Sequence, residues 1–395
     1  MDVAELSSPE FVADPYPKYE RLRQGEPVTF VPDSGPMGGF WLVTRYEDVR
    51  AVLGNKGFSK DMRPYVPPEQ QNPVSLSMLF RDPPDHTRLR SLVSKAFTPR
   101  MISGLQPRIE EIADDLVGRA QQSGRADVIS DLALPLPVIV IAEMLGVPSE
   151  DRDRFRRWSG EIIAGGDLAQ DYEERQQRSL AASRELLEYL AALIEARRRQ
   201  RADDLISGLI DARDEHGTLS EEELLGNCML LLIAGHETTV NLIGNGTLAL
   251  LRNPDQLQRL RREPDLIESA VEEALRFESP VQQATFHVAK QEMEIGGQRI
   301  GKEEQVSAVL GAANRDPEQF DDPDSFDIAR EPNRHLAFGR GPHFCLGAPL
   351  ARLEARITLP KLLDCQPALD LADGEAPSWR ANAAFRGLES LPVSF

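Results

Sequence analysis

Ten consecutive residues, Phe338-Gly339-Arg340-Gly341-Pro342-His343-Phe344-Cys345-Leu346-Gly347, constrain this chain more than any other stretch. Glycines at 339, 341 and 347 permit positive φ angles and close backbone approach, so the turn can deliver one cysteine to a fixed point just before a helix. A helix beginning near Leu346 would set its positive end beside the sulfur and favour the thiolate, the form that binds metals. A lone cysteine in a turn is ordinarily a buried or incidental residue. The ordered set of glycines, phenylalanine and histidine around Cys345 argues instead for a sulfur held and aimed as a metal ligand.

The chain has 395 residues, yet it shows no internal repeat, no low-complexity segment and no Ser/Gly linker between blocks of different composition. One large, mainly helical domain spanning residues 1–395 is expected. Lys and Arg number 45 against 64 Asp and Glu, a net charge of -19, so the overall field disfavours nucleic acid and anionic lipid as partners. Early acids and the lack of an apolar run in Met1-Asp2-Val3-Ala4-Glu5-Leu6 predict neither a secretory signal nor a membrane anchor. The most apolar stretches, Leu132 to Leu145 and Met229 to Ala234, are too short or too interrupted by proline to span a bilayer. Three cysteines, Cys228, Cys345 and Cys365, form no CxxC pair and support neither a disulfide framework nor a structural zinc site. A reducing cytoplasm is the expected location.

Apolar residues at three- and four-residue spacing predict helices over Pro107 to Gln122, Asp171 to Arg201, Leu219 to Arg252, Asn253 to Arg262 and Leu266 to Glu278. Strand-like runs occur at Phe40 to Val43 and between Met293 and Val306, where Gly296-Gly297 reads as a turn. Gly57 to Asp82 has no clear period and is rich in proline, which predicts a long loop and one wall of a binding pocket.

Inside the long helical pattern, Ala234-Gly235-His236-Glu237-Thr238-Thr239 breaks an apolar run with a small pair, an acid and two hydroxyls. Buried polar groups at that depth need a purpose. The ordinary one is structural, with threonine bonding back to the preceding turn and Glu237 pairing with a base. Glu273 and Arg276 form a Glu-x-x-Arg that puts both side chains on one helix face, a spacing that by itself is common on surfaces.

The cysteine loop matches every defined position of Phe-Gly-x-Gly-x-His-x-Cys-x-Gly, and in this it resembles the haem-ligand loop of cytochrome P-450 enzymes of the soluble bacterial type. The resemblance runs from Pro15-Tyr16-Pro17 to Arg386-Gly387-Leu388, with the motifs in the family's order. It implies a triangular, mainly α prism with small β-sheets around a buried haem b, ligated by Cys345 and held near Phe338, Gly339, Ala234 and Gly235. Glu237 and Thr238 look like the family's acid-alcohol pair, which relays solvent protons during oxygen activation. Asp82 to Arg90 resembles its propionate-binding helix, making His86 and Arg90 propionate ligands together with His343. His287 stands where most bacterial relatives have arginine, and we expect it to contact a propionate. The other reading for it is a partly exposed strand histidine. Glu273 and Arg276 would form a buried triad with Arg330 from the segment that resembles the family's meander.

The implied reaction is insertion of one oxygen atom from dioxygen into a hydrophobic organic substrate, by hydroxylation or epoxidation. Electrons would come from a ferredoxin and its reductase, docked on a basic patch suggested by Arg88, Arg334, Arg340 and Arg352. Leu231, Val281, Ala284, Thr285 and Phe385 are pocket candidates by analogy, each equally explicable as packing. Two other functions fit parts of the pattern: a peroxide-driven peroxygenase, which would dispense with redox partners, and a non-catalytic haem sensor, which would not need a proton relay.

Overall fold

The computed structural model describes residues 3–6, 8–32, 38–65, 73–164, 172–213, 217–365, 369–372, 377–382 and 384–395. The chain divides into two compact units interleaved in sequence. One comprises Met1–Phe58, Arg108–Leu134 and Thr238–Phe395, and the other Ser59–Pro107 and Pro135–Glu237. The division falls within the longest helix, Glu221–Arg252, between Glu237 and Thr238.

Periodicity located most long helices to within a few residues. Gln106–Ser123 buries Ile109, Ile112, Ala113, Leu116, Val117 and Ala120, the three- and four-residue stripe of a helix with one face in a core. Pro254–Arg262, Ile267–Phe277 and Tyr172–Arg199 follow the same logic, with Asp171 of the expected span lying outside the described residues. The start of Glu221–Arg252 is set by a capping box. Ser220 Oγ accepts from the Glu223 amide at 3.2 Å, and the Ser220 amide donates back to Glu223 Oε2 at 2.9 Å.

In the first unit, a sheet runs in the order Val28–Pro32, Gly39–Val43, Gln305–Ala308, His287–Ala289. Val28 pairs with Val43 and Phe40 with Gln305, so the outer pair is antiparallel and the next is parallel. Val28, Val43, Val306 and Ala308 of this sheet bury with Tyr46, Val49 and Phe320 in one core. Met293–Ile295 and Gln298–Ile300 form the hairpin expected at Gly296-Gly297, both of which have positive φ.

In the second unit the apolar stretch before Gly146 is a helix, Pro135–Leu145, although it contains two prolines in its first turn. Those positions lack an intrahelical acceptor in any case, so Pro135 and Pro137 begin the helix without breaking it. The expected loop from Gly57 to Asp82 lies partly outside the described residues, at 66–72. Its described remainder includes the short turns Arg63–Tyr65, Pro73–Leu76 and Met78–Phe80. The Met78 amide donates to Asn227 Oδ1 of the long helix at 3.2 Å. No helix of the described residues is long and apolar enough to cross a membrane.

Candidate active site

The cysteine loop owes its shape to two glycines. Gly339 and Gly341 have φ of 69° and 75°, in the left-handed region that side chains disfavour. A Cβ on Gly341 would also lie 3.0 Å from the Leu53 carbonyl oxygen, so the backbone packs closely there. The Cys345 amide donates to the Phe338 carbonyl at 3.0 Å and closes the turn. The following helix is Ala348–Leu363, two residues later than expected, because Pro349 occupies its first turn. Cys345 Sγ lies 3.9 Å from where a Gly347 side chain would begin, which places it over the start of that helix.

Cys345 is exposed, whereas Cys228 and Cys365 are buried. Burial, reinforced by Asp204, pushes the Cys228 thiol up to about 12, so it stays protonated. An exposed cysteine, presented by a glycine loop at a helix N-terminus, is suited to ligate the iron of a haem. His343 and Phe338 of the same loop are half-buried.

An ion network links this loop to the helix Ile267–Phe277. Arg352, on the helix after the cysteine, lies over the Phe338 ring at 4.5 Å and donates to both Glu272 oxygens at 2.6 and 2.7 Å. His335 Nε2 meets Glu272 Oε2 at 3.0 Å. Burial alone would raise the Glu272 carboxyl, but these donors outweigh it and hold the group at about 2 against an ordinary 4.5. A folded-state pKa below the unfolded one contributes stability above the unfolded value. The stability advantage of the wild type over Glu272→Gln, measured by urea melts, is therefore expected in full above pH 4.5 and should vanish as pH falls to about 2. An advantage independent of pH over that range would show that charge is not its source.

The adjacent Glu273 is completely buried and accepts from Arg276 at 2.7 and 2.7 Å, from Arg330 at 3.2 and 3.2 Å, from Asn333 at 3.1 Å and from the Asp327 amide at 2.9 Å. Arg276 itself is fully buried and donates further to the carbonyls of Asn314, Pro323 and Ser325. The Glu-x-x-Arg pair is thus a core ion cluster, not a surface pair.

His287 is 5% exposed in its strand, edge-on to Phe58 at 5.7 Å, so the partly exposed alternative does not hold. Val281 and Phe385 are brought together by an antiparallel bridge, and the Ala284 amide donates to the Ala308 carbonyl at 2.9 Å. Thr285 is exposed, while Val281, Ala284 and Phe385 are half-buried. Thr238 is half-buried on the long helix, within this same unit.

In the second unit, Leu231 and Glu237 are buried, Gly235 is half-buried and Ala234 is exposed. A side chain on Gly235 would meet Ile141 at 3.6 Å, an ordinary contact. His236, for which sequence gave no role, bonds through Nδ1 to the Leu232 carbonyl at 2.9 Å. A carbonyl only accepts, so Nδ1 carries a proton, and Nε2 pairs with Ser159 Oγ. That pair fixes one side of the helix at the acid-alcohol motif. His86 is 2% exposed; burial and then Arg90, its neighbour one turn on, both lower its pKa. Arg90 is half-buried.

Two residues assigned to a basic patch are committed elsewhere: Arg88 pairs with Glu223, and Arg352 with Glu272. Arg334 and Arg340 remain exposed. The Glu272 network escaped sequence reasoning because its members are 63 and 80 residues apart.

The sequence profile of the cytochrome P450 family matches residues 37–365. The chain is 47% identical over 401 residues to the cytochrome P450 monooxygenase PikC of Streptomyces venezuelae, covering 100% of this chain and 94% of that protein. It is 44% identical to a cytochrome P450 of Bacillus subtilis, covering 99% and 97%. The solved structure of PksS, a cytochrome P450 of the Bacillus subtilis bacillaene polyketide synthase, superposes with a TM-score of 0.91 at 41% identity, covering 98% of each chain. The thiolate loop and the mainly helical fold are those of a haem-thiolate protein. This chain belongs to the cytochrome P450 family.

Proposed function

We propose that the chain works as a single P450 domain that inserts one oxygen atom from dioxygen into a hydrophobic organic substrate, in the secondary metabolism or catabolism of a bacterial cytoplasm. The observation that carries this reading is the exposed Cys345 thiol in its left-handed glycine loop at a helix start. Haem b, when bound, supplies dioxygen activation and oxygen transfer, with electron donation from the thiolate favouring O–O cleavage. Cys345 would be its ligand, Phe338, Gly339, Ala234 and Gly235 would pack around it, and His86, Arg90, His287 and His343 would hold the propionates. Glu273, Arg276 and Arg330 fix the framework behind the loop. Leu231, Val281, Ala284, Thr285 and Phe385 would line the substrate pocket, and their predominantly apolar character suits a hydrophobic molecule.

Glu237 and Thr238 take the proton-handling role. Glu237 is buried, so a proton it takes up would leave by its hydroxyl neighbour and not by open water, and Thr238 Oγ1 can both donate and accept. Thr238→Ala is expected to lower product formed per electron pair about tenfold, the lost electrons appearing as hydrogen peroxide or water. Coupling equal to that of the wild type would refute the relay.

A ferredoxin and its reductase would supply electrons. Arg340, exposed on the cysteine loop, is the side chain best placed to meet an acidic ferredoxin. Arg340→Glu should slow reduction several-fold at low salt and lose that effect as salt screens it. An unchanged rate would move the docking site elsewhere. The peroxygenase alternative predicts turnover with peroxide and none with ferredoxin.

A further inference from the structure

The helix Glu221–Arg252 carries two asparagines, Asn241 and Asn245, at depths where the protein leaves amide atoms unsatisfied. Thr238, Asn241 and Asn245 recur at three- and four-residue spacing, and Ala249 and Arg252 continue the same face. Asn241 is 1% exposed, and neither its Nδ2 nor its Oδ1 has a hydrogen-bond partner. Asn245 is equally buried; its Nδ2 donates to the carbonyls of Arg386 at 2.9 Å and Glu278 at 3.2 Å, while its Oδ1 accepts nothing. Each unmatched buried atom costs about 1–3 kcal/mol unless something fills the role, and in protein interiors ordered water does so.

A polar cavity of about 580 Å³ opens onto this face, walled by Asn245, Ala249 and Arg252 of the helix and by Tyr16, Glu278 and Arg386 opposite. Several of its charges are paired within its own walls. Arg386 donates to Glu278 at 2.7 Å, Tyr16 donates to the same carboxylate at 2.8 Å, and the lining as a whole balances four arginines with four acids. Such a cavity calls for water, not for an ion. Beyond it, Gly387 lies directly on Asn241, because a side chain there would start 1.9 Å from Oδ1.

We propose that Asn241 and Asn245 hold a file of buried water that runs from this cavity to Thr238, a solvent-proton entry separate from Glu237. At roughly 1.5 Å per residue, Asn245 and Thr238 are about 10 Å apart, with Asn241 about midway, a gap that a few waters bridge. The amides do not ionise. They order the water, and a proton passed to Thr238 is replaced from solvent at the cavity mouth. The inference rests on the relay role proposed for Thr238.

Two measurements on the haem-loaded protein decide it. A high-resolution crystal structure should show ordered waters bonded to Asn241 Nδ2 and Oδ1 and Asn245 Oδ1, continuous with the cavity. Asn241→Val, whose side chain ends at Cγ and is one atom shorter than asparagine, should lose the central waters, lower product per electron pair about threefold and alter the solvent deuterium isotope effect on turnover. Asn241→Ser, which keeps a donor and an acceptor, should restore both kinetic quantities. Amides satisfied by protein groups with no water between, or a valine variant with wild-type coupling and isotope effect, would overturn the proposal. A wild type that forms no oxygenated product would instead defeat the monooxygenase reading, and the water positions would then judge the file by themselves.

Discussion

Glu273→Ala is expected to destabilise the fold by about 3–5 kcal/mol, the cost of leaving a buried cation without its partner. Glu273 and Arg276 are both fully shielded from solvent, and Arg330 is only 10% exposed. Burial already lowers the pKa of Arg276, and the bonds from Glu273 are what oppose that effect. Without the carboxylate, the Arg276 guanidinium would keep only backbone carbonyls as acceptors. The exposed pair Arg50 and Glu47 is the internal comparison, with side chains 42% and 66% accessible. Glu47→Ala should cost less than about 1 kcal/mol. Urea unfolding of the two variants checks this contrast. Equal midpoints for Glu273→Ala and Glu47→Ala would show that the cluster contributes packing alone.

Cys345→Ser is expected to lower oxygenated product by on the order of a thousandfold or more, equivalent to about 4 kcal/mol of transition-state stabilisation. Serine keeps the size and the turn, since the loop is held by Gly339, Gly341 and the Cys345 amide, none of which depends on sulfur. What it removes is the thiolate, and with it the electron donation that favours O–O cleavage. Cys365→Ser is the control. Cys365 is buried, and its sulfur donates to the Lys361 carbonyl at 3.3 Å, a bond that a hydroxyl reproduces. Its turnover should stay within about twofold of the wild type, given the small cost of swapping one buried donor for another. Substantial product from Cys345→Ser would remove the thiolate from the mechanism.

The parts of this molecule legible in the sequence are those written in local patterns. The cysteine loop announces itself because glycines at 339 and 341 answer to positive φ within nine residues of the helix that follows. Long amphipathic helices such as Gln106–Ser123 are legible because their buried residues repeat with the helix. Pro135–Leu145 is not among the helices that periodicity predicts, because it buries residues on most of its faces and so has no clear period. A short strand such as Pro392–Ser394 is set by a partner far away in sequence, Arg125–Asp127. The same limit hid the site's electrostatics. Glu272 and Glu273 are adjacent acids on one helix, yet one braces the cysteine loop through Arg352 and the other anchors the core through Arg276. Only tertiary contacts separate their roles. Asn241 and Asn245 likewise read as ordinary helix residues until the cavity and Gly387 are placed beside them.

The most direct test of the central claim is the absorption spectrum of the reduced, haem-loaded protein under carbon monoxide, recorded for the wild type and for Cys345→Ser. Thiolate ligation by Cys345 predicts a strongly red-shifted Soret band in the wild type that is lost in the serine variant. A folded, haem-loaded wild type without that band, or a serine variant that retains it, would contradict the assignment of Cys345 as the haem ligand.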